Sequence, residues 1–170
     1  VTFSLDGRYS RTRRSSHMLF GLLNRPEFDQ QLVFHAQKAG AEVRTGAAVS
    51  RVEQHGPAVP DRRTVAVVLQ GGETLLARAV VGADGSASRI GAHVGVKLDQ
   101  VDLGLEAEIP VPGAVAEDWA GRVLIDWGPI PGSYGWVFPK GDTLTVGVIS
   151  ARGKGAATKR YLEDFIGRLG

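Results

Sequence analysis

The chain contains no cysteine, and this absence removes several kinds of site at once. Disulfide frameworks, thiolate metal sites and cysteine nucleophiles are excluded, and the composition fits a reducing compartment. The four histidines lie far apart and form no H-E-x-x-H pair, so no metal site is predicted. No apolar run approaches the roughly 20 residues that span a bilayer. We therefore expect a cytoplasmic protein, with peripheral contact at a membrane as the alternative.

A large excess of charge of one sign is also absent. The 20 lysines and arginines nearly balance the 18 aspartates and glutamates, which leaves a net charge of +2. Such a small excess creates no large field, so a nucleic-acid partner is not expected. The sequence also lacks the P-loop G-x-x-x-x-G-K-[ST], the nucleophile elbow G-x-S-x-G and any paired-carboxylate signature. The first residue is Val1 rather than Met, which suggests a piece of a longer protein.

What is present is an ordinary globular composition over 170 residues, with 43% hydrophobic and 22% charged residues. This length and composition are typical of about one folded domain. Residues 1–5 alternate like a strand, and Asp6 with Gly7 forms a turn signal, so a hairpin is predicted. Residues 8–14 carry four arginines, for which a solvated strand face is favoured over a phosphate site.

A helix is predicted over residues 26–39, because Phe28, Leu32 and Ala36 repeat at helical spacing. Pro26 suits the first helical position, and Gly40 can adopt the left-handed conformation that ends a helix. The residues that follow predict a layered α/β region with an antiparallel insertion. Its strands are expected at residues 41–45, 47–53, 64–69 and 74–81, with a loop at residues 55–63 and a short helix up to about residue 93.

A second region begins after Gly95, where residues 101–109 alternate apolar and polar side chains like one half-buried strand. Further strands are expected at residues 122–127, 134–138 and 142–149, joined by Gly and Pro turns. Short turns of this kind favour an antiparallel sheet. A helical stripe follows from about residue 156 to the end of the chain.

Residues 80–88 form the stretch that is most informative about a ligand. They place Asp84 and Gly85 directly after a predicted apolar strand. Ligands bind at the carboxyl ends of strands in open α/β sheets, where Gly allows close backbone approach and Asp accepts from ribose or ribityl hydroxyls. The alternative is an ordinary strand, turn and helix in which Asp84 is a cap or turn residue. The residues alone leave both interpretations open.

Three aromatic rings, Tyr134, Trp136 and Phe138, occupy alternate positions of one predicted strand and so share a face. They form either a flat apolar wall for a ligand or a ridge packed into the core. The polar atoms of Tyr and Trp suit a cavity edge, but the spacing alone does not decide. We expect this face to lie away from the arginines of residues 8–14.

Together these segments resemble the FAD-dependent geranylgeranyl reductase family, a branch of the flavoprotein monooxygenase superfamily with the para-hydroxybenzoate hydroxylase fold. The segment from Arg25 through Phe28 and Asp29 is similar to the helix whose leading Arg reaches the flavin. Residues 81–88 look like the superfamily's second nucleotide motif. Residues 131–139, with the pattern P-x-x-Y-x-W-x-F-P, are similar to the isoprenoid-pocket motif that separates the reductases from the hydroxylases.

The resemblance implies α/β architecture with a partial FAD-binding, Rossmann-like domain over residues 1–98. A partial substrate domain, an antiparallel sheet with a C-terminal helix, would follow over residues 99–170. FAD is the implied cofactor, with NAD(P)H or another reductant as electron donor. Arg25 and Asp84 should approach each other on the cofactor side. The resemblance implies that Arg25, Val49, Asp84 and Gly85 bind the cofactor and that Tyr134, Trp136 and Phe138 line an apolar tunnel for the polyprenyl substrate.

The implied activity is reduction of isolated double bonds in a polyprenyl chain attached to a lipid, a chlorophyll precursor or a quinone. The alternatives are an FAD- and NAD(P)H-dependent monooxygenase of aromatic substrates and a non-catalytic fragment without flavin. The pattern departs at Gly91, where the superfamily usually has Arg, and the Gly-rich βαβ unit and a later Gly-Asp segment are absent. We therefore expect a central fragment that is inactive alone and binds FAD weakly.

Overall fold

A computed structural model of the protein describes residues 1–19, 21–57, 62 and 64–169, so part of the predicted loop at residues 55–63 lies outside the described residues. The chain divides into two compact units, one of Val1–Gln31 with Gln100–Gly170 and the other of Leu32–Asp99. In chain order the elements are β1 (Thr2–Leu5), β2 (Tyr9–Thr12), α1 (Arg25–Lys38), β3 (Val49–Gln54), β4 (Val65–Leu69), β5 (Thr74–Ala77), α2 (Arg89–His93), β6 (Asp102–Pro110), α3 (Gly113–Trp119), β7 (Leu124–Trp127), β8 (Tyr134–Lys140), β9 (Thr143–Ala151) and α4 (Gly155–Leu169).

The first unit contains a six-stranded sheet in the order β2-β1-β7-β8-β9-β6. Neighbouring strands are antiparallel except β1 and β7, which run parallel. The α/β class is therefore confirmed. The four strands expected over residues 101–149 pair antiparallel as predicted, and the one parallel pair involves β1, which lies outside that prediction.

The hairpin β1–β2 forms as predicted, with a tight turn in which Asp6 has φ 49° and Gly7 has φ 66°. Positive φ at both turn positions matches the twist of hairpin strands. The resemblance groups this hairpin with residues 1–98, but its strand β1 pairs with β7 and belongs to the same unit as residues 100–170. Backbone donors of a strand need a neighbour, and β1 finds its second neighbour in β7.

Helix α4 packs on one face of this sheet, against β9 and β6. Tyr161 and Phe165 of α4 join Val137, Val146 and Val148 in the buried core. Because successive strand residues point to opposite faces, the alternate residues lie on the side away from α4, which we call the open face. The open face carries Tyr9, Arg11, Phe3, Leu5, Ile125, Trp127, Tyr134, Trp136, Phe138, Gly147, Ile149, Gly104 and Glu106.

The second unit contains the antiparallel sheet β3-β4-β5. The predicted strand at residues 41–45 does not form, and β5 ends at Ala77 instead of continuing to residue 81. A strand needs hydrogen-bonded neighbours, and among the described strands none pairs with residues 78–83. Val81 is accordingly 88% exposed.

Helix α1 agrees with the predicted helix to within one residue at each end. Its apolar residues Phe28 and Leu32 are exposed, and no described residue of the helix is buried. The amphipathic pattern therefore predicted the helix correctly, although its apolar stripe is not covered. None of the helices in the described part of the chain is long and apolar enough to span a membrane.

Candidate functional site

Asp84 lies in the turn before α2, and its carboxylate caps that helix. Oδ2 accepts from the backbone amides of Arg89 at 2.7 Å and Ile90 at 3.4 Å, while Oδ1 accepts from the Ser88 hydroxyl. These hydrogen bonds, chiefly the one from Ser88, lower the pKa of Asp84 below its ordinary value. The structure thus agrees with the interpretation of Asp84 as a helix cap. Its carboxylate is ionised and lies at the surface.

Gly85 follows with φ 77°, a conformation that favours glycine. No heavy atom lies within 4 Å of the position that a Cβ would take there, so the backbone is open to close approach. Gly82 differs, because its Cβ would lie 2.5 Å from the Cβ of Ile90. The glycine at this position therefore allows the segment to pack closely against α2.

Arg89 joins α2 to β3 within the second unit. Its Nη1 donates to the carbonyl oxygens of Val49 at 2.5 Å and Ser50 at 3.2 Å. The carbonyl of Val49, a predicted cofactor residue, is therefore already engaged by the protein. Sequence reasoning missed this contact, because the two residues lie 40 positions apart and no local pattern links them.

Arg25 begins α1, as the resemblance implies. Its Nη2 lies 2.9 Å from Oδ2 of Asp29, and this contact raises the pKa of the guanidinium. The Arg25 side chain is 73% exposed, and its Nη1 finds no acceptor within the described part of the chain. Arg25 belongs to the first unit and Asp84 to the second, and their approach to each other stays a prediction.

Tyr134, Trp136 and Phe138 form a continuous row on the open face. Ring centroids are 6.0 Å apart for Tyr134 and Trp136, and 6.2 Å apart for Trp136 and Phe138. Tyr134 is exposed and the other two are half-buried, so the row lies outside the core under α4. The spacing predicted the shared face correctly, and a role in substrate binding stays a prediction.

Gly147 of β9 lets the ring of Trp136 lie flat against the sheet. The two residues are register partners, and a Cβ on Gly147 would lie 2.1 Å from Cζ2 of Trp136. Glycine inside a strand often marks such a close approach. The sequence carried this signal, because Gly147 lies inside the strand predicted at residues 142–149.

Sequence reasoning also missed the aromatic residues that lie beside this row. Trp127 is the register partner of Tyr134, and its ring centroid lies 5.7 Å from that of Phe3. The arginines of residues 8–14 were expected away from this face, but Arg11 is the register partner of Phe3 and shares it. The strand period puts both on one side, and only the hairpin register shows which residues become neighbours.

A separate cavity in the described part of the chain lies elsewhere in the first unit. Its volume is about 920 Å³, and it is lined by residues that include Arg13, Met18 and Arg122. The predicted cofactor and substrate residues do not line it. The open face is therefore a surface wall in this chain and not the lining of that cavity.

Comparison with known families bears on the turn at Asp84 and on Arg25. The sequence pattern of the FAD binding domain matches residues 4–115, more than half of the chain. The chain belongs to the FAD binding domain family. The matched segment of this FAD binding domain includes Arg25, Val49, Asp84 and Gly85, whereas the aromatic strand β8 lies beyond it.

Relatives of this FAD binding domain are considerably longer. It is 34% identical over 153 residues to digeranylgeranylglycerophospholipid reductase 1 of Methanopyrus kandleri, covering 85% of this chain and 40% of that protein. It is 31% identical over 154 residues to digeranylgeranylglycerophospholipid reductase of Methanocaldococcus jannaschii, covering 85% of this chain and 37% of that protein. The chain thus spans less than half the length of these curated relatives.

Solved structures with a similar fold are also flavoproteins. The crystal structure of CmlS, a flavin-dependent halogenase, superposes with a TM-score of 0.60 at 21% identity, over 86% of this chain and 27% of that chain. The structure of Klebsiella pneumoniae HpxO, solved with FAD and uric acid, superposes with a TM-score of 0.54 at 16% identity. The superposition covers 81% of this chain and 36% of that chain. At such low identities the likeness shows a shared fold and nothing more.

Proposed function

We propose that this chain is part of an FAD-dependent oxidoreductase that reduces isolated double bonds of a polyprenyl, geranylgeranyl-type chain. The similarity to proteins named digeranylgeranylglycerophospholipid reductase supports this substrate class. The observation that carries the proposal is the row of Tyr134, Trp136 and Phe138 on the open face. These residues would contact the prenyl chain.

An aromatic row suits a prenyl chain for a physical reason. The prenyl chain has no polar groups, so its binding free energy must come from apolar surface area that is removed from water, at about 25 cal/mol per Å². Flat rings supply much of that area on one side, and their shape is fixed by few torsions. Exposed apolar patches of this kind are typical of ligand grooves.

We infer that Arg25, Val49, Asp84 and Gly85 hold the FAD. When bound, FAD supplies the hydride for the double bond, and NAD(P)H or another reductant supplies the electrons. The residues fit a flavin dinucleotide in three respects. The ionised Asp84 accepts three hydrogen bonds from its own chain and has capacity for a ligand hydroxyl. Arg25 offers the donors on Nη1, and Gly85 offers an unobstructed backbone.

We also propose that the whole protein contacts a membrane peripherally, because a digeranylgeranyl lipid resides in a bilayer. Co-sedimentation with phospholipid vesicles tests this point. Binding should increase when the vesicles contain the prenyl lipid, and its absence at all compositions would contradict the proposal.

The proposed reaction is tested by product analysis with the protein that carries this chain, FAD, dithionite or NADPH, and a geranylgeranyl lipid. Mass spectrometry should show the gain of two hydrogen atoms per reduced double bond. Trp136→Ala should raise KM for the prenyl lipid and leave flavin content unchanged, whereas Leu76→Ala, a truncation in the other unit, should change neither. Peroxide release with a hydroxylated aromatic product and an unreduced prenyl lipid would favour the monooxygenase alternative.

A further inference from the structure

The open face extends well beyond the three rings of β8. Register partners connect residues into two rows that cross all six strands. With neighbouring strands about 4.8 Å apart, each row is about 24 Å long. Both rows are apolar along their middle, and charged side chains occur at the two ends of the second row. The first row is Tyr9, Leu5, Trp127, Tyr134, Ile149 and Gly104, and the second is Arg11, Phe3, Ile125, Trp136, Gly147 and Glu106.

On β1 and β7 the burial pattern is the reverse of what a core alone would favour. Ser4 is 7% exposed, whereas its neighbours Phe3 and Leu5 are 38% and 55% exposed. On β7, Asp126 is 1% exposed and Trp127 is 48% exposed. Burial of large apolar side chains stabilises a fold, so a strand normally turns them inwards. Their outward orientation on both strands therefore indicates a surface that binds something apolar.

A buried polar cluster holds the two strands in this orientation. Oδ1 of Asp126 accepts from the Ser4 hydroxyl and, at 3.0 Å, from the Gly7 amide. Oδ2 of Asp126 lies 3.4 Å from Nη2 of Arg168 on α4. A one-residue slip of β1 would turn Ser4 away from Asp126 and would send Phe3 to the covered side. The cluster therefore keeps Phe3 on the open face.

Charged side chains make the two ends of the second row opposite in charge. Arg11, on the edge strand β2, makes no ion pair within the described residues, and neither does Glu106 at the opposite edge. Glu108 differs, because it pairs with Lys140 at 3.0 Å. An anionic group is therefore attracted to the Arg11 end and repelled from the Glu106 end.

A shallow hollow of about 260 Å³ lies at the Arg11 end and is lined by Phe3, Leu5, Tyr9, Arg11 and Trp127 among others. We propose that the open face binds an anionic polyprenyl lipid across the strands, with its phosphate at Arg11 and its chain over Phe3, Leu5 and Trp127 towards β8. This inference rests on the proposed function and adds the direction of the lipid and the residues near its headgroup.

Calorimetric titration with geranylgeranyl monophosphate, geranylgeraniol and inorganic phosphate tests whether the phosphate of the lipid binds at Arg11. The monophosphate should bind the protein more tightly than the alcohol, and added salt should reduce this difference. Arg11→Gln should weaken monophosphate binding about tenfold, as expected for a lost charge-assisted contact, and should leave geranylgeraniol binding unchanged. Arg14→Gln removes the same charge beyond the end of β2 and should change the affinity less than about twofold.

The contact between the prenyl chain and Leu5 can be tested against a matched control residue in the second unit. Leu5 and Leu76 are exposed to nearly the same extent, 55% and 56%. Leu5→Ala should weaken binding of both prenyl ligands about three- to tenfold, because it removes apolar contact area. Leu76→Ala should leave both affinities unchanged, and thermal melting checks that each variant stays folded.

The outcomes separate this inference from the proposed function. Unchanged binding in Leu5→Ala and Arg11→Gln, together with weakened binding in Trp136→Ala, would overturn the extended site and leave the proposed function standing. A wild-type protein that binds neither prenyl ligand would overturn both. Inorganic phosphate that binds as tightly as geranylgeranyl monophosphate would overturn the lipid as the occupant, because the site would then recognise free phosphate.

Discussion

The substitution Gly147→Ala tests how the sheet positions the ring of Trp136. The new Cβ would lie 2.1 Å from Cζ2 and 2.4 Å from Cε2 of that ring, so the ring must leave its position or the strand must shift. Overpacking of this kind costs about 1 to 3 kcal/mol in the free energy of unfolding. We therefore expect both a loss of stability within that range and weaker prenyl binding.

A double-mutant cycle isolates the cause of this loss. In the Trp136→Ala background the clash is gone, so Gly147→Ala should be neutral or should stabilise by about 0.5 to 1 kcal/mol, since glycine weakens a strand. The expected coupling between the two positions is then about 1 to 4 kcal/mol, the cost in the wild-type background plus any gain in the Trp136→Ala background. Gly104→Ala is the matched control, because Gly104 lies on the same face and a Cβ there meets no atom within 4 Å.

Urea unfolding followed by far-UV circular dichroism measures the stability of the four proteins of the cycle and of the Gly104→Ala control without relying on tryptophan fluorescence. Trp136→Ala alone should cost less than the roughly 3 to 5 kcal/mol typical of a core tryptophan, because its ring is half-buried on the open face. An equal cost of Gly147→Ala with and without the tryptophan would refute the contact between ring and glycine.

Three further predictions concern Asp126, Asp84 and Arg25. Asp126→Ala should cost about 1 to 3 kcal/mol in urea unfolding, because it leaves the buried Ser4 hydroxyl without its acceptor, whereas Arg168 keeps its ion pair with Asp6; a cost near zero would contradict the cluster. Because hydrogen bonds lower the pKa of Asp84, its cap persists above the ordinary Asp pKa of about 3.9 and is lost as pH falls through the lower folded value. The protection factor of the Arg89 amide, which compares its exchange rate with the intrinsic rate at the same pH, should therefore fall only when the pH drops below the ordinary Asp pKa, and this fall should be absent in Asp84→Asn. Arg25→Ala should weaken flavin binding by about 1.5 to 3 kcal/mol in the protein that carries this chain, whereas Asp29→Ala should not.

Local sequence patterns predicted the elements whose signals are local. Helix α1 has Pro26 at its start, Gly40 after its end and helical apolar spacing between them, and its limits were correct to one residue. The three rings of β8 share a face because strand side chains alternate. Residues 78–81 were predicted as the end of a strand because of their apolar residues, and they have no strand partner among the described residues.

Which face of each strand is buried could not be predicted. The alternation of side chains separates two sets of residues, but it does not tell which set the rest of the protein covers. On β1 the apolar residues Phe3 and Leu5 were the natural choice for the core, yet Ser4 is the buried residue. The reason is a tertiary contact with Asp126, which lies 122 positions away in sequence. The bond from Arg89 to Val49 is hidden from sequence reasoning for the same reason.

Photo-crosslinking tests the central claim, that the open face binds the prenyl chain, most directly. Geranylgeranyl monophosphate with a diazirine on its terminal isoprene unit is irradiated with the protein, and adducts are located by tandem mass spectrometry. The account predicts adducts on β8, at Tyr134, Trp136 or Phe138, and competition by unmodified geranylgeranyl monophosphate. Competed adducts confined to α4 or to residues 32–99 would contradict it.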